Sequence, residues 1–220
     1  MKNISKENYL STIYRYSDDE SRIKTAIIAE KLNISNAAVT DMMKKLSLDG
    51  YVEYKRYKDI KLTTEGELYA KNMIRRHRIW ELYLHRVLKM PWDKVHDEAE
   101  HLEHSSSDDL INRLEEILEY PEFDPHGDPI PDKNGTLPGK RNSVPLSLIR
   151  MGEKVEVVRV NDFDHKFLTY LSGIGINLNT ELIVKDVLGF DNSMLIGING
   201  TEINISNTIA DNIFVIRKNN

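Results

Sequence analysis

Apolar residues recur at helical spacing through the first half of the chain and give way to strand-like alternation in its last third. Tyr9, Leu10, Ile13 and Tyr14 mark a first helix, and Ala26, Ala29 and Leu32 mark a short second one within TAIIAEKL. The turn Asn33-Ile34-Ser35-Asn36 leads into a third helix, AAVTDMMKKLSLDG. Ser35 or Asn36 is its N-cap, Val39, Met42, Met43 and Leu46 form its inward face, and Gly50 stops it. Residues 51–54 and 60–62 alternate as two strands around a charged tip, Lys55-Arg56-Tyr57-Lys58-Asp59. Thr63 or Thr64 caps a long helix that carries Met73, Ile74, Ile79 and Trp80 and runs to about Leu88. Pro91 opens another along WDKVHDEAEHLEH. A last one, DDLINRLEEILEY, is capped within residues 105–109, turns Leu110, Leu114, Ile117 and Leu118 to one side, and ends at Pro121.

The pattern then breaks. Residues 121–149 hold six of the seven prolines among Gly, Asp and Asn, which predicts an irregular stretch. Beyond it, KVEVVRV, TELIVKDV, SMLIGI, TEINIS and IFVIR are short β-branched runs that predict a small five-stranded barrel, with a short helix in HKFLTYLSGIGI. The expected architecture is a mainly α N-terminal part and a small all-β C-terminal barrel. Its divisions are a winged helix-turn-helix over residues 1–72, a helical unit over 73–125, a Pro/Gly-rich linker over 126–149 and the barrel over 150–220.

Helix, short helix, turn, helix and a two-stranded wing is a layout that sets its third helix in the DNA major groove and its wing along the phosphates. The outward residues are Ser35, Ala37, Ala38, Thr40, Asp41, Lys44 and Lys45. The small side chains permit close approach to base edges, while Lys44, Lys45, Lys55, Arg56 and Lys58 are candidate phosphate contacts. Charge agrees weakly: residues 1–72 carry 13 Lys and Arg against 11 Asp and Glu, in a chain whose net charge is −5.

The absence of cysteine removes disulfides, thiolate zinc sites, iron–sulfur clusters and thiol nucleophiles. No apolar run approaches the ~18–20 residues that span a bilayer, and MKNISKENYL has no signal-peptide core, so the chain reads as cytoplasmic with no membrane partner. Histidine is concentrated instead: five of seven fall within residues 77–104. At about 100° per residue, His96, Glu100, Glu103 and His104 share an arc of about 100° on one helix. His77 and Glu81 stand one turn apart on the preceding helix. Paired helices presenting imidazoles and carboxylates to each other are how bundles build metal sites, and nitrogen and oxygen donors without thiolate suit Mn²⁺ or Fe²⁺.

The runs ENYLSTIY, IIAEKLNISNAAVTDMMKKLSLDGYV, RRHRIWELYL and KVHDEAEHLEHSSSDD resemble the diphtheria toxin repressor family over roughly residues 5–130. The C-terminal segment is similar to the SH3-like (FeoA-like) domain of its longer members. The resemblance implies a metal-dependent transcriptional repressor, a homodimer on a palindromic DNA operator, with no catalysis and no small-molecule substrate. It implies two metal ions per subunit. One is held by His77, Glu81 and His96, completed by Asp164 or Asp162 of the SH3-like domain, with His165 beside them. The other is held by Glu100, Glu103, His104 and a first-helix residue, here Asn8. Glu100 stands where iron-type members place cysteine, which favours Mn²⁺, with Fe²⁺ as the alternative. Two other readings compete: a di-metal hydrolase or redox enzyme built on the His/Glu helices, and a winged-helix regulator that does not sense metal.

Overall fold

In the computed structural model, residues 6–18, 20–55, 59–139, 141–162 and 164–218 are described. Arg56 and Lys58 of the wing tip lie outside the described residues. The N-terminal unit comprises α1 (Lys6–Tyr16), β1 (Arg22–Ile23), α2 (Thr25–Leu32), α3 (Asn36–Leu48), β2 (Val52–Glu53) and β3 (Ile60–Leu62). Asn33 ends α2 in the left-handed region at φ 52°, a conformation its short amide tolerates. Ser35, not Asn36, caps α3, its hydroxyl accepting from the Ala38 amide. Leu10, Ile13, Ile28, Val39, Met43, Leu46 and Ile60 form a closed core, while Met42 is only half-buried. The wing gains a strand: β1 pairs antiparallel with β3, giving the order β1-β3-β2. Two residues with one buried side chain are too short a pattern for alternation to reveal.

α4 (Thr64–Arg86) is a single rod of 23 residues. Thr63 starts it by accepting from the Gly66 amide and donating to the Gly50 carbonyl, which ties the helix to the turn after α3. Ala70 belongs to the N-terminal core, whereas Ile79 and Leu82 pack with Ile111, Leu114, Leu118 and Ile130 in a second core. α5 spans Val95–Glu103, beginning three residues later than its sequence predicts. Trp92 is diverted: its ring is buried in the core of the C-terminal barrel, and residues 92–94 turn to allow it. α6 (Asp108–Ile117) is capped by Ser107 and buries Ile111 and Leu114. It stops before Pro121, because Glu119 and Tyr120 adopt positive φ (62° and 55°) and reverse the chain first.

The proline-rich stretch lacks helix and strand over residues 121–139 yet packs tightly. Asp124, His126 and Ile130 are buried, and the Val160 amide donates to the His126 carbonyl at 2.9 Å. Gly127, at φ 89°, lies so close to the barrel that a Cβ would stand 2.1 Å from the Val158 carbonyl oxygen. The barrel comprises β4 (Val144–Pro145), β5 (Lys154–Val160), α7 (His165–Gly173), β6 (Glu181–Val187), β7 (Met194–Ile198), β8 (Thr201–Ile205), α8 (Asn207–Asp211) and β9 (Ile213–Arg217). Its antiparallel sheet runs β4-β9-β5-β6-β7-β8, six strands rather than five, because Val144 and Pro145 pair with Val215 and Phe214. Inward residues such as Val155, Val157, Val184, Ile196 and Val215 close over Trp92. Among the described residues no helix is long and apolar enough to cross a membrane.

Gly66 sets the seam between α4 and the wing, since a Cβ there would meet the Tyr51 carbonyl oxygen at 1.9 Å. Gly66→Ala is therefore expected to cost about 1–3 kcal/mol through overpacking and to lower Tm by several degrees in a calorimetric melt. Gly173→Ala, where a Cβ meets nothing within 4 Å, should leave Tm unchanged or slightly higher.

Candidate metal centre

α4 and α5 lie side by side and present their His and Glu side chains to one another. His77 Nε2 is 3.0 Å from Glu81 Oε1 and 3.1 Å from His96 Nδ1, and His96 Nδ1 is 3.1 Å from the same Glu81 oxygen. His77 Nδ1 lies 2.7 Å from Glu103 Oε2. His77, Glu81 and Glu103 are buried, and His96 is half-buried. The structure brings His77, Glu81, His96 and Glu103 together, with Glu103 also reaching His104 Nε2 at 3.2 Å. Glu100 is exposed on the same helix. From α1, Glu7 contacts His104 Nδ1 at 2.5 Å, and Asn8 is half-buried beside it.

A second cluster adjoins the first and was not foreseen. Glu81, Asp124 and His126 place ligand atoms within 4.8 Å of one another, all three residues buried. Glu81 Oε2, Asp124 Oδ2 and His126 Nδ1 have no hydrogen-bond partner among the described residues. Buried polar atoms are rarely left so, and each costs about 1–3 kcal/mol. His126 Nε2 faces the Trp92 carbonyl at 2.9 Å and can only donate to it. In the neutral ring that leaves the lone pair on Nδ1, turned toward the carboxylates. The other oxygen of Asp124 accepts from the amides of His126 and Asp128, which holds the loop in shape. Arg78 Nε stands 3.5 Å from Asp124 Oδ2.

The electrostatics mark a site short of positive charge. Burial alone would push the His77 imidazole down, but the carboxylates of Glu81 and Glu103 overcome it and carry it up to about 9. Burial would push Glu81 up, yet the imidazole of His77, helped by His96 and His126, holds it well below the usual carboxylate range. Asp124 is pushed up to about 7, first by burial and then by the charges of Glu81 and Asp128. Burial opposes charge on His126 as well, but Glu81, Asp124 and Asp162 raise it. Two buried carboxylates and convergent imidazole nitrogens, with three donor atoms unsatisfied, fit a divalent cation bound by nitrogen and oxygen.

Of the two C-terminal candidates, Asp164 is exposed and caps α7, accepting from the Lys166 amide, whereas Asp162 is the one whose charge reaches His126. His165 is turned to the Asp93 carbonyl. Sequence reasoning passed over Asp124 and His126 because they sit in the proline-rich stretch. The signal available was DPHGD, a histidine flanked by two aspartates in an otherwise His-free segment. On the nucleic-acid side, Ala37, Ala38, Asp41, Lys44, Lys45 and Lys55 are exposed and Thr40 is half-buried. Ser35 is exposed but has its hydroxyl engaged as the cap, and Lys44 pairs with Asp41 at 3.0 Å.

A winged N-terminal unit, a helical unit carrying a buried His/carboxylate centre and a small β-barrel together define the class of metal-responsive DNA-binding regulators. Comparison with known proteins makes this specific. Residues 3–60 match the iron dependent repressor N-terminal DNA binding domain, residues 63–132 its metal binding and dimerisation domain, and residues 144–217 the FeoA domain. The diphtheria toxin repressor of Corynebacterium efficiens is 30% identical over 214 residues, 93% of this chain and 91% of that one. The iron-dependent repressor IdeR of Mycobacterium tuberculosis is 31% identical over 194 residues, 83% and 84% of the two chains. A solved manganese-dependent transcriptional repressor in complex with manganese superposes with a TM-score of 0.88 at 33% identity, covering 97% of this chain and all of that one. The manganese regulator SloR superposes at 0.76 with 31% identity, covering 97% and 99%. This chain belongs to the iron-dependent (diphtheria toxin) repressor family.

Asp124→Asn removes a buried charge that faces Glu81 and Asp128 while keeping Oδ1 for the loop amides. The metal-free protein is expected to melt at the same temperature or higher. The stabilisation by Mn²⁺, about 2.7 kcal/mol per site at a hundredfold excess over Kd, should fall by about half. An undiminished Mn²⁺-induced rise in Tm would place the cation elsewhere.

Proposed function

We propose that the chain is a transcriptional repressor activated for operator binding by Mn²⁺, with Fe²⁺ as the alternative, acting as a homodimer on palindromic DNA in the cytoplasm. The observation that carries the reading is the set of three buried ligand atoms on Glu81, Asp124 and His126, without hydrogen-bond partners among the described residues, beside His77 and His96. Membership of a family of repressors supports a regulator rather than an enzyme.

Two ions per subunit are proposed. Glu81 would share one among His77 and His96 on one side and Asp124 and His126 on the other, with Asp162, whose charge raises His126, favoured over Asp164 as the barrel carboxylate. Glu100, Glu103 and His104 would hold the other, with Asn8 from α1. A bound cation supplies positive charge that offsets carboxylates otherwise repelling one another. The absence of thiolates favours Mn²⁺ or Fe²⁺ over softer ions. With α1 in the DNA-binding unit and α5 in the helical unit, ligands from both would fix the winged head in one orientation. Moving a mostly incompetent ensemble to a mostly competent one takes roughly 5 kcal/mol of differential affinity.

Ser35, Ala37, Ala38, Thr40 and Asp41 would face the major groove, with Lys44, Lys45, Lys55, Arg56 and Lys58 on the phosphates. Leu110, Ile117 and Tyr120 are 40%, 62% and 68% exposed at or just beyond α6, and this apolar surface supports a two-fold dimer.

Fluorescence anisotropy on labelled operator DNA, titrated anaerobically with Mn²⁺, Fe²⁺ and Zn²⁺, tests the reading. Mn²⁺ or Fe²⁺ should tighten binding by at least tenfold, and Glu103→Ala or His104→Ala should abolish that response in a folded protein. Equal DNA affinity with and without metal would end it. Lys44→Ala should weaken all sequences alike and reduce the slope of log affinity against log salt by about one, as loss of a phosphate contact requires.

A further inference from the structure

We infer that Glu7, a first-helix carboxylate outside the expected ligand set, is a positioning residue that orients His104 and couples the metal centre to the DNA-binding unit. The inference rests on the metal-dependent reading above. His104 lies just past the end of α5 with its ring between two carboxylates: Nδ1 is 2.5 Å from Glu7 Oε2, and Nε2 is 3.2 Å from Glu103 Oε1. A carboxylate oxygen only accepts, so the shorter contact to Glu7 calls for an N–H at Nδ1, and the longer one to Glu103 for an N–H at Nε2 whose place a bound cation would take. Nε2 is then the nitrogen turned toward Glu103 and the cation-binding face. Imidazoles that bind a cation through one nitrogen characteristically donate the other N–H to a carboxylate. That bond fixes tautomer and ring orientation and raises the basicity of the ligating atom.

Glu7 is itself held in place. Its Oε1 accepts from the Tyr69 hydroxyl on α4 at 3.1 Å. Burial, and after it the Glu7 charge, pushes that hydroxyl up to about 12, so Tyr69 remains a donor at any working pH. The Lys6 ammonium lies 4.2 Å over the Tyr51 ring and 4.5 Å over the Tyr69 ring, packing the start of α1 against α4. Glu7 therefore reaches three helices: it belongs to α1, one oxygen takes α4 and the other takes α5. Its neighbours Tyr9 and Leu10 are buried in the core that carries α3. Asn8 offers a neutral amide, whereas Glu7 brings a full charge and makes its bond charge-assisted. Positive charge gained on the Nε2 side makes Nδ1–H a stronger donor, which tightens the hold of α5 on α1. By linkage, anything that tightens that hold raises metal affinity in return.

The test compares full-length wild type, Glu7→Ala, Glu7→Gln, Tyr69→Phe and Glu103→Ala. Metal affinity is read by Mn²⁺ electron paramagnetic resonance, and ring tautomers by NMR of histidine-labelled, Zn²⁺-loaded protein. The Zn²⁺-loaded wild type should show a His104 Nδ1–H proton shifted far downfield, and Glu7→Ala should lose that signal. Mn²⁺ affinity should fall about 10–100-fold in Glu7→Ala, less in Glu7→Gln, and least in Tyr69→Phe. At saturating Mn²⁺ the Glu7 variants should still bind operator more weakly than wild type, and the metal-free variants should melt within a few degrees of it. Wild-type Mn²⁺ affinity in Glu7→Ala, or a loaded wild type protonated on Nε2 instead, overturns the inference. Failure of the metal-dependent reading looks different, because wild type itself would bind no Mn²⁺ or Glu103→Ala would bind it normally.

Discussion

The arrangement of the molecule turns on one carboxylate. Glu81 is fully buried, and its two oxygens serve different neighbours: Oε1 takes His77 and His96, while Oε2 faces Asp124 and His126 without a hydrogen bond among the described residues. An ionised carboxylate removed from water is costly unless paired, and half of this one is paired. Three elements surround it, α4, α5 and the loop after Pro121, and apolar contacts of Leu84 with Val95 and Ala99 also join the two helices. Their remaining contacts, Ile130 against Ile79 and Leu114, and Gly127 against Val158, enclose the charge and keep water from it.

Charge organised this way makes the centre responsive. The carboxylates raise His77 and His126 while Asp124 is pushed toward neutrality, an electrostatic compromise that a bound cation would relieve. Contacts from the cluster reach parts of the chain distant in sequence: α1 through Glu7, the end of α5 through His104, and the barrel through Trp92. The indole N–H of Trp92 donates to Ser172, its ring stacks on His126 and its carbonyl takes the His126 proton. These tertiary bonds, rather than proximity, link the centre to both ends of the molecule.

Much of this was legible in order and type of element, because it is written in local signals. Ser35 caps α3, Thr63 caps α4, and the phase of His96 and Glu103 on one helix and of His77 and Glu81 on another puts those side chains on facing sides. What escaped is tertiary. Trp92 sits at helical spacing but is drawn into the barrel, which delays α5 by three residues. Asp124 and His126 carry no periodicity and acquire meaning only when Gly127 folds their loop against β5. Asn8 was singled out by family correspondence, and its neighbour Glu7 shows its contact with His104 only once α1 and α5 lie side by side.

The continuity of α4 has a mechanical consequence. Ala70 is locked into the N-terminal core and Ile79 into the helical one, nine residues along an unbroken shaft of about 1.5 Å per residue. No slack joint separates the two cores, so the winged head cannot swivel on a hinge as a loosely strung domain would. A change of inclination at the helical core would be carried along the shaft to α3 as to the end of a lever.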